Sequence, residues 1–523
     1  MYTLNDSLRA VHSNDDNADV DADASKSKAL PLARRSFLKM TTASGFALGV
    51  FPIAALAQQA NGAAPSGELN ATQQPAAFVK IDRDGIVTIT INRLDFGQGV
   101  QTGLPMILAE ELDADWSKVR SVHGNADPAY ADPVMKFNLT GGSSAIKNSY
   151  IQYRELGART RSMLLAAAAK RWGVSADSLR TQNGQVIGPK GKKLGYGELA
   201  DAAMKMPVPL KVTLKDPKDF RIIGHATGRI DARAKSSGAQ SYGIDTPLPG
   251  LLTAVVAHPP VFGSKLTAVD DSAAKAIRGV RAVVRVPSVL GGEVVAVVAD
   301  GYWPAKQGRD ALKLEWDASG VGKVDSAAQL VQYRELAQKT GAIKYDADMS
   351  PLSGAAHKIS AEYLFPYLAH TAMEPLNCTV HITGQGAAAK ADLWVGTQAP
   401  GWEVATAARI LGIDVKNVSV HIPMAGGGFG RRATPACDYV SEACQIAKAT
   451  RAAGIDAPVR MLWSREDDVK GGFYRPMHLH RAEIGFDAQG KVLAWDHVIV
   501  GQSIAKGTAF EGFMIANGVE TTT

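Results

Sequence analysis

Between residues 78 and 91, apolar and polar side chains alternate on either side of Asp84-Gly85, which predicts a β-hairpin. The period then lengthens. Apolar positions at helical spacing over 104–112, ending on Glu110 and Glu111, predict one helix, and the same spacing over 151–172 predicts a longer one. Short apolar runs at 251–257, 282–286 and 293–299 predict strands, with a helix over 302–314 after them. From Ile230 to Trp316 this string reads as a compact α+β unit. Residues 324–354 read as a helix with polar connections, and an apolar run follows at 363–368. Strands over 392–396 and 418–422 and a helix over 434–448 complete the pattern.

Three glycine clusters punctuate it, each opening onto a predicted helix: Gly97-Gln98-Gly99, Thr140-Gly141-Gly142-Ser143, and Gly426 to Arg432. Free N–H groups at a helix start favour an anion, so each cluster is a candidate phosphate or pterin contact, with a plain capping turn as the competing reading. The third is the richest, because Gly426, Gly427, Gly428 and Gly430 surround Phe429, and Arg431 and Arg432 close the run. It is not a Walker loop, which needs Lys then Ser or Thr, nor a Rossmann fingerprint, whose sixth position here is Arg431. Gln398 sits where a predicted strand ends, a position at which ligands collect in α/β layers. Gln98 offers a donor and an acceptor on a loop tip.

With 523 residues, 46% of them hydrophobic, the chain can build roughly three or four domains. A net charge of +6 with no basic run interleaved with aromatics argues against nucleic-acid binding. Cys378, Cys437 and Cys444 form no CxxC pair and cannot supply four thiolates, so any iron–sulfur cluster belongs to another chain; buried free thiols are the expectation. His478 and His480 share one strand face without a partner spaced to complete a metal site. Gly320-Val321-Gly322-Lys323 lacks the hydroxyl residue a phosphate loop requires. Near the N-terminus, Arg34-Arg35-Ser36-Phe37-Leu38-Lys39 precedes an uncharged apolar stretch to Ala57, after an Asp-rich leader. That is the form of a twin-arginine export signal, which carries folded, cofactor-loaded proteins and predicts a periplasmic location, free or at the membrane.

Taken together, these motifs resemble the molybdenum-binding large subunit of the xanthine oxidase family, in its isoquinoline 1-oxidoreductase or aldehyde oxidoreductase branch. The resemblance rests on Asp95 to Gly103, Thr140 to Ser143, Asp231, Tyr242 to Asp245 with Pro249 and Gly250, Val295 to Asp300 with Trp303, Ala305 and Trp316, His370 with Met373, Glu374 and Pro375, Thr397 with Gln398, and Gly426 to Arg432. It implies an α+β fold: a leader and signal over 1–57, a molybdopterin-binding segment over 75–215, an a/b hammerhead domain over 220–317, and an incomplete molybdopterin-binding domain over 355–523.

The resemblance further implies molybdopterin, in its cytosine dinucleotide form, with molybdenum held by no protein ligand. Gln398 and the Phe429 and Gly430 backbone would stand beside the metal, and Gly97, Gln98 and Gly99 by the pterin. Thr140, Gly141, Gly142 and Ser143 would serve the dinucleotide end, while Gly427, Gly428, Arg431 and Arg432 would face pterin or phosphate. The implied reaction oxidises an aldehyde or an N-heteroaromatic compound, with oxygen from water. Electrons would leave through a small subunit with [2Fe–2S] clusters toward an acceptor such as a cytochrome c. Two departures sharpen this. The Gly97 motif precedes the hammerhead, as in the isoquinoline branch. The family's catalytic Glu, in a Gly-rich motif near the C-terminus of a longer chain, has no equivalent before Thr523, so a truncated or split chain is expected, inactive alone, or a non-catalytic cofactor-binding or assembly protein.

Overall fold

The computed structural model describes residues 68–339, 341, 347–506, 508, 511–516 and 519–520. The segment expected to be an export signal lies outside them. No described helix is long and apolar enough to cross a membrane.

The first unit builds on the predicted hairpin. β1 (Val79–Ile81) and β2 (Val87–Ile91) pair antiparallel, and β3 (Val119–His123) adds parallel to β2. Strict alternation in β2 buries Val87, Ile89 and Ile91 against α1 (Val100–Leu112) and α2 (Ser144–Trp172). The two helices pack closely because Gly157 has no side chain: a Cβ there would stand 2.9 Å from Glu111 Cβ. α2 begins at Ser144, seven residues before the expected start, so the Gly141-Gly142-Ser143 cluster is its immediate N-terminal flank.

β4 (Arg180–Gln182), β5 (Gln185–Ile187) and β6 (Lys193–Gly195) form a small antiparallel sheet of their own. A seven-stranded mixed sheet organises the rest. Its strands are β7 (Leu252–Ala257), β9 (Val280–Pro287), β10 (Glu293–Ala299), β13 (Asn377–Thr383), β14 (Lys390–Trp394), β15 (Val418–His421) and β16 (Val459–Leu462), in the order β15-β14-β13-β16-β7-β10-β9. The parallel pairing of β16 with β7 joins strands from both of the last two sequence segments into one layer. β7 and β10 are continuous apolar runs because both faces are covered. Val255 and Ala299 face α4 (Tyr302–Asp310), α3 being Tyr196–Ala203; Ala254, Val256, Ala296 and Val298 join the core under α6 (Pro400–Leu411) and α7 (Asp438–Ala452), α5 being Ser326–Leu336. All three cysteines are buried free thiols.

One expectation is corrected. The helix over 302–314 ends at Asp310, and Lys313–Asp317 is a strand, β11, paired with β8 (Lys265–Asp270). Leu314 and Trp316 are half-buried while their neighbours are exposed, a period of two that propensity over the preceding turn had masked. A third sheet, β12-β17-β18, pairs His357–Phe365 with His478–Phe486 and Val492–Gly501.

Candidate cofactor site

The loop that follows β15 is a backbone cradle. Gly427, Phe429 and Gly430 take φ of 104°, 54° and 97°. Consecutive N–H groups in such a conformation converge on one concavity. The N–H groups of residues 427 to 430 donate to no acceptor among the described residues, although Gly428 is buried. Buried donors are rarely left so, and an acceptor from a ligand is the simplest completion. The Phe429 side chain stands 71% exposed at the loop's tip.

Glu374 clamps the start of this loop. Its carboxylate accepts from Gly426 N (2.7 Å), Ile244 N (2.9 Å) and Asn377 Nδ2 (3.0 Å), and pairs with Arg432 Nη2 at 3.0 Å. A Cβ on Gly426 would lie 2.6 Å from Glu374 Cβ, so glycine is required there. Arg432 also donates to Gly427 O (2.6 Å), Gly396 O (3.3 Å) and Glu374 O (3.1 Å). Arg431 makes a bidentate pair with Asp438 (3.0 and 2.6 Å) between the rings of Trp463 and Phe473. Burial works against the Arg431 charge, and Asp438 more than offsets it. Both guanidinium groups therefore turn into the protein, where the sequence reading had them face pterin or phosphate: Asp438, seven residues on, and Glu374, on another segment, compete for them.

Gln398 ties three segments together. Its N–H donates to Arg432 O (3.0 Å), its Nε2 to Thr140 O (2.7 Å), and its Oε1 accepts from Arg432 N (3.2 Å). Thr140 N donates back to Gln398 O (2.8 Å), and Thr140 Oγ1 accepts from Leu94 N (2.8 Å). Leu94, ahead of the 97–99 loop, the flank of α2 and the strand end thus meet at one point. Between them lies a cavity of about 20 Å³, lined by Arg93, His123, Asn138, Thr140 and Gln398 among others, room for a single water.

The Gly97-Gln98-Gly99 loop differs from expectation in a second way. The N–H groups of both its glycines are taken, because Asp95 accepts from Gly97 N (2.9 Å) and Gly99 N (3.1 Å), and from Gln101 N (2.9 Å) beyond them. The protein's own carboxylate fills the anion site. Burial pushes Asp95 upward, but those N–H groups and Lys235 hold it below the usual carboxylate range. Gln98, on the exposed tip, donates to Leu94 O (2.8 Å) and accepts from Phe96 N (2.9 Å), bracing its own turn. By contrast, α2 has no side-chain cap, and Gly142 and Ser143 are exposed in front of it.

Two groups escaped the sequence reading. His123 accepts from Asp95 N (2.9 Å) through Nε2 and faces Ile422 O (3.2 Å) through Nδ1, so the neutral tautomer with the proton on Nδ1 satisfies both. Burial drives its pKa down to about 4. Its place at the end of an alternating strand was the only available signal. Glu403, buried behind Gln398, accepts from Thr397 Oγ1 (3.1 Å), and burial pushes it up to about 8. A lone glutamate in the unassigned stretch between two predicted strands looks in sequence like a solvated surface residue.

Two family models, each a molybdopterin cofactor-binding domain, match residues 21–235 and 334–521. Isoquinoline 1-oxidoreductase subunit beta of Brevundimonas diminuta is 30% identical over 90% of this chain and 64% of its own length. A membrane-bound aldehyde dehydrogenase of Gluconacetobacter polyoxogenes is 29% identical over 89% of this chain and 60% of its own. Among solved structures, quinoline 2-oxidoreductase from Pseudomonas putida 86 aligns with a TM-score of 0.38 at 18% identity, over 53% of this chain and 39% of the other. The chain spans less than two thirds of the length of the curated relatives it matches. It belongs to the xanthine oxidase family of molybdopterin-binding oxidoreductase subunits.

Proposed function

We propose that residues 427–430 hold the pterin of a molybdenum cofactor, and that the chain is part of an exported hydroxylase acting on aldehydes or N-heteroaromatic compounds. The single observation that carries this is the run of four acceptorless N–H groups in a strained, glycine-built loop. A molybdopterin presents acceptors, a ring carbonyl oxygen, an unprotonated ring nitrogen and phosphate oxygens, which is the chemistry those donors lack. The uncapped start of α2, at Gly141, Gly142 and Ser143, suits the anionic dinucleotide end, read here as the cytosine form.

When bound, the cofactor supplies the redox centre that takes up the substrate's electrons while oxygen comes from water. The chain's own part is positional. Gln398 is fixed at both ends of its carboxamide, so its place beside the loop does not drift. His123 and Thr140 lock the 94–99 segment against the strand end. Glu374 and Asp95, the carboxylates flanking the loop, are spent on N–H groups and cations, so neither serves as proton acceptor. That acceptor lies elsewhere in the functional protein, as do the [2Fe–2S] clusters and the electron acceptor.

The test is turnover of isoquinoline and benzaldehyde by the protein purified with its natural partners, in water labelled with heavy oxygen. Label in the product supports the reading. Loaded, folded complex that oxidises neither, or that draws oxygen from dioxygen, overturns it.

A further inference from the structure

The third sheet has two unlike faces. α5 packs on the side of Leu479, Val498 and Val500, where Leu330 and Tyr333 join them. On the other side Ile359, Tyr363, Trp495 and Ile499 stand exposed. The pairing register sets His480 of β17 between Tyr363 and Ile499, and His497 of β18 opposite Ala482. Side chains alternate along a strand, so His478, His480 and, through Ala482, His497 share this open face.

The sequence shows His478 and His480 two apart, with no third donor at a ligand spacing. The structure supplies one from the neighbouring strand. Nδ1 of His480 lies 3.1 Å from Nε2 of His497. Phe365 meets the His480 ring edge-on at 4.9 Å, and Trp495 stands 6.4 Å from His497, so aromatic rings flank the pair. His478 is turned elsewhere: its ring, centred 6.3 Å from that of His480, occupies the space a Cβ at Gly501 would need.

The 3.1 Å gap has the bite of a chelate. With metal–imidazole bonds of about 2.0–2.1 Å, two nitrogens on one metal stand about 2.9 Å apart at a right angle and about 3.3 Å apart at the tetrahedral angle. As a hydrogen-bonded pair, one ring donates its proton to the other. Moving that proton to the donor ring's far nitrogen leaves both facing lone pairs open, with no net change in protons. Rotation about χ2, which is soft in histidine, then aims the two at one point outside the sheet.

We infer that His480 and His497 together bind one divalent cation of the copper–zinc class, with water in its remaining positions. No group of three His, Cys, Asp or Glu side chains able to hold a metal occurs among the described residues, so the protein supplies two ligands. Imidazole nitrogens suit Cu(II) and Zn(II), whereas Mg(II) and Ca(II) take oxygen donors, and no strand residue on this face is a carboxylate. None of the residues that build the glycine loop takes part.

The test uses the full chain without an affinity tag, titrated calorimetrically with Cu(II), Zn(II) and Mg(II), with electron paramagnetic resonance on samples holding less Cu(II) than protein. Cu(II) should bind more tightly than Zn(II), and Mg(II) not at all. The Cu(II) spectrum should carry coupling to two imidazole nitrogens. His480→Gln and His497→Gln should each weaken Cu(II) by at least about tenfold, no less than is lost when a mere supporting partner of a metal ligand is removed. His421→Gln removes an exposed imidazole already paired with Asp392 (2.8 Å) and should change nothing. Wild-type protein that binds no Cu(II), a spectrum without two imidazole nitrogens, or full-strength binding in both folded variants overturns the inference. Should neither variant fold, the nitrogen count in the wild type still decides it.

Discussion

Replacing Glu374 with alanine removes the most heavily committed carboxylate at the site. Its ion pair with Arg432 spans 3.0 Å between side chains 5% and 1% exposed, so water cannot substitute for the lost partner. Removing one member of a buried pair costs about 3–5 kcal/mol, because the other charge is left uncompensated. The N–H groups of Gly426 and Ile244 lose their acceptor as well. Each orphan adds about 1–3 kcal/mol where the site cannot relax, and the terms overlap because Arg432 and Gly426 belong to one network. The expected loss is therefore at least about 3 kcal/mol. Glu374→Gln, which keeps an acceptor but no charge, should lose less. Urea unfolding followed by tryptophan fluorescence measures both. A loss under about 1 kcal/mol for the alanine variant, well below the range for a buried pair, would show that the clamp carries no stability and refute the reasoning.

Other outcomes follow from the same geometry. Burial raises Glu403 from 4.5 to about 8 in the folded state, so the native form holds the proton longer than the unfolded one, and stability is lost as pH rises from 4.5 through 8. Glu403→Gln should raise the melting temperature at pH 8.5 and change it little at pH 4.5 or below; calorimetry at the two pH values checks this. His123 has the opposite sense. Its pKa falls from 6.5 to about 4, so the stability it contributes is present above 6.5 and lost as pH falls through 4, and His123→Gln should flatten the acid limb of the melting curve. Gln398→Leu orphans the Thr140 carbonyl and the Arg432 N–H and should destabilise by about 1–3 kcal/mol per orphan, read by chemical denaturation. Arg34→Lys with Arg35→Lys should leave the protein in the cytoplasm on cell fractionation if the twin-arginine reading is right.

Local signals were legible and long-range pairings were not. The alternation in β2, the apolar run of β10 and the glycine content of 426–430 belong to single segments, and each appears where the pattern predicts it. The convergence of Thr140, Gln398 and Arg432 could be suspected only through the family resemblance, since hydrogen bonds joining residues so far apart leave no period in the chain. The direction of Arg431 and Arg432 depends on Asp438 and Glu374, one seven residues ahead at the start of α7 and the other on a different segment. A cationic pair beside a glycine loop reads the same whether it meets a phosphate or a carboxylate. Asp95 shows the converse: a nest that looks vacant in sequence is filled from within.

The most direct test of the central claim is the pterin and molybdenum content of purified protein carrying Gly430→Ala. A Cβ at Gly430 meets no protein atom within 4 Å, so it intrudes only on the space in front of the loop and strains a φ of 97°. If residues 427–430 cradle the cofactor, the wild type carries stoichiometric pterin and the variant, still folded by circular dichroism, loses most of it. Full pterin occupancy in the folded variant, or none in the wild type from molybdenum-supplied cells, contradicts the account.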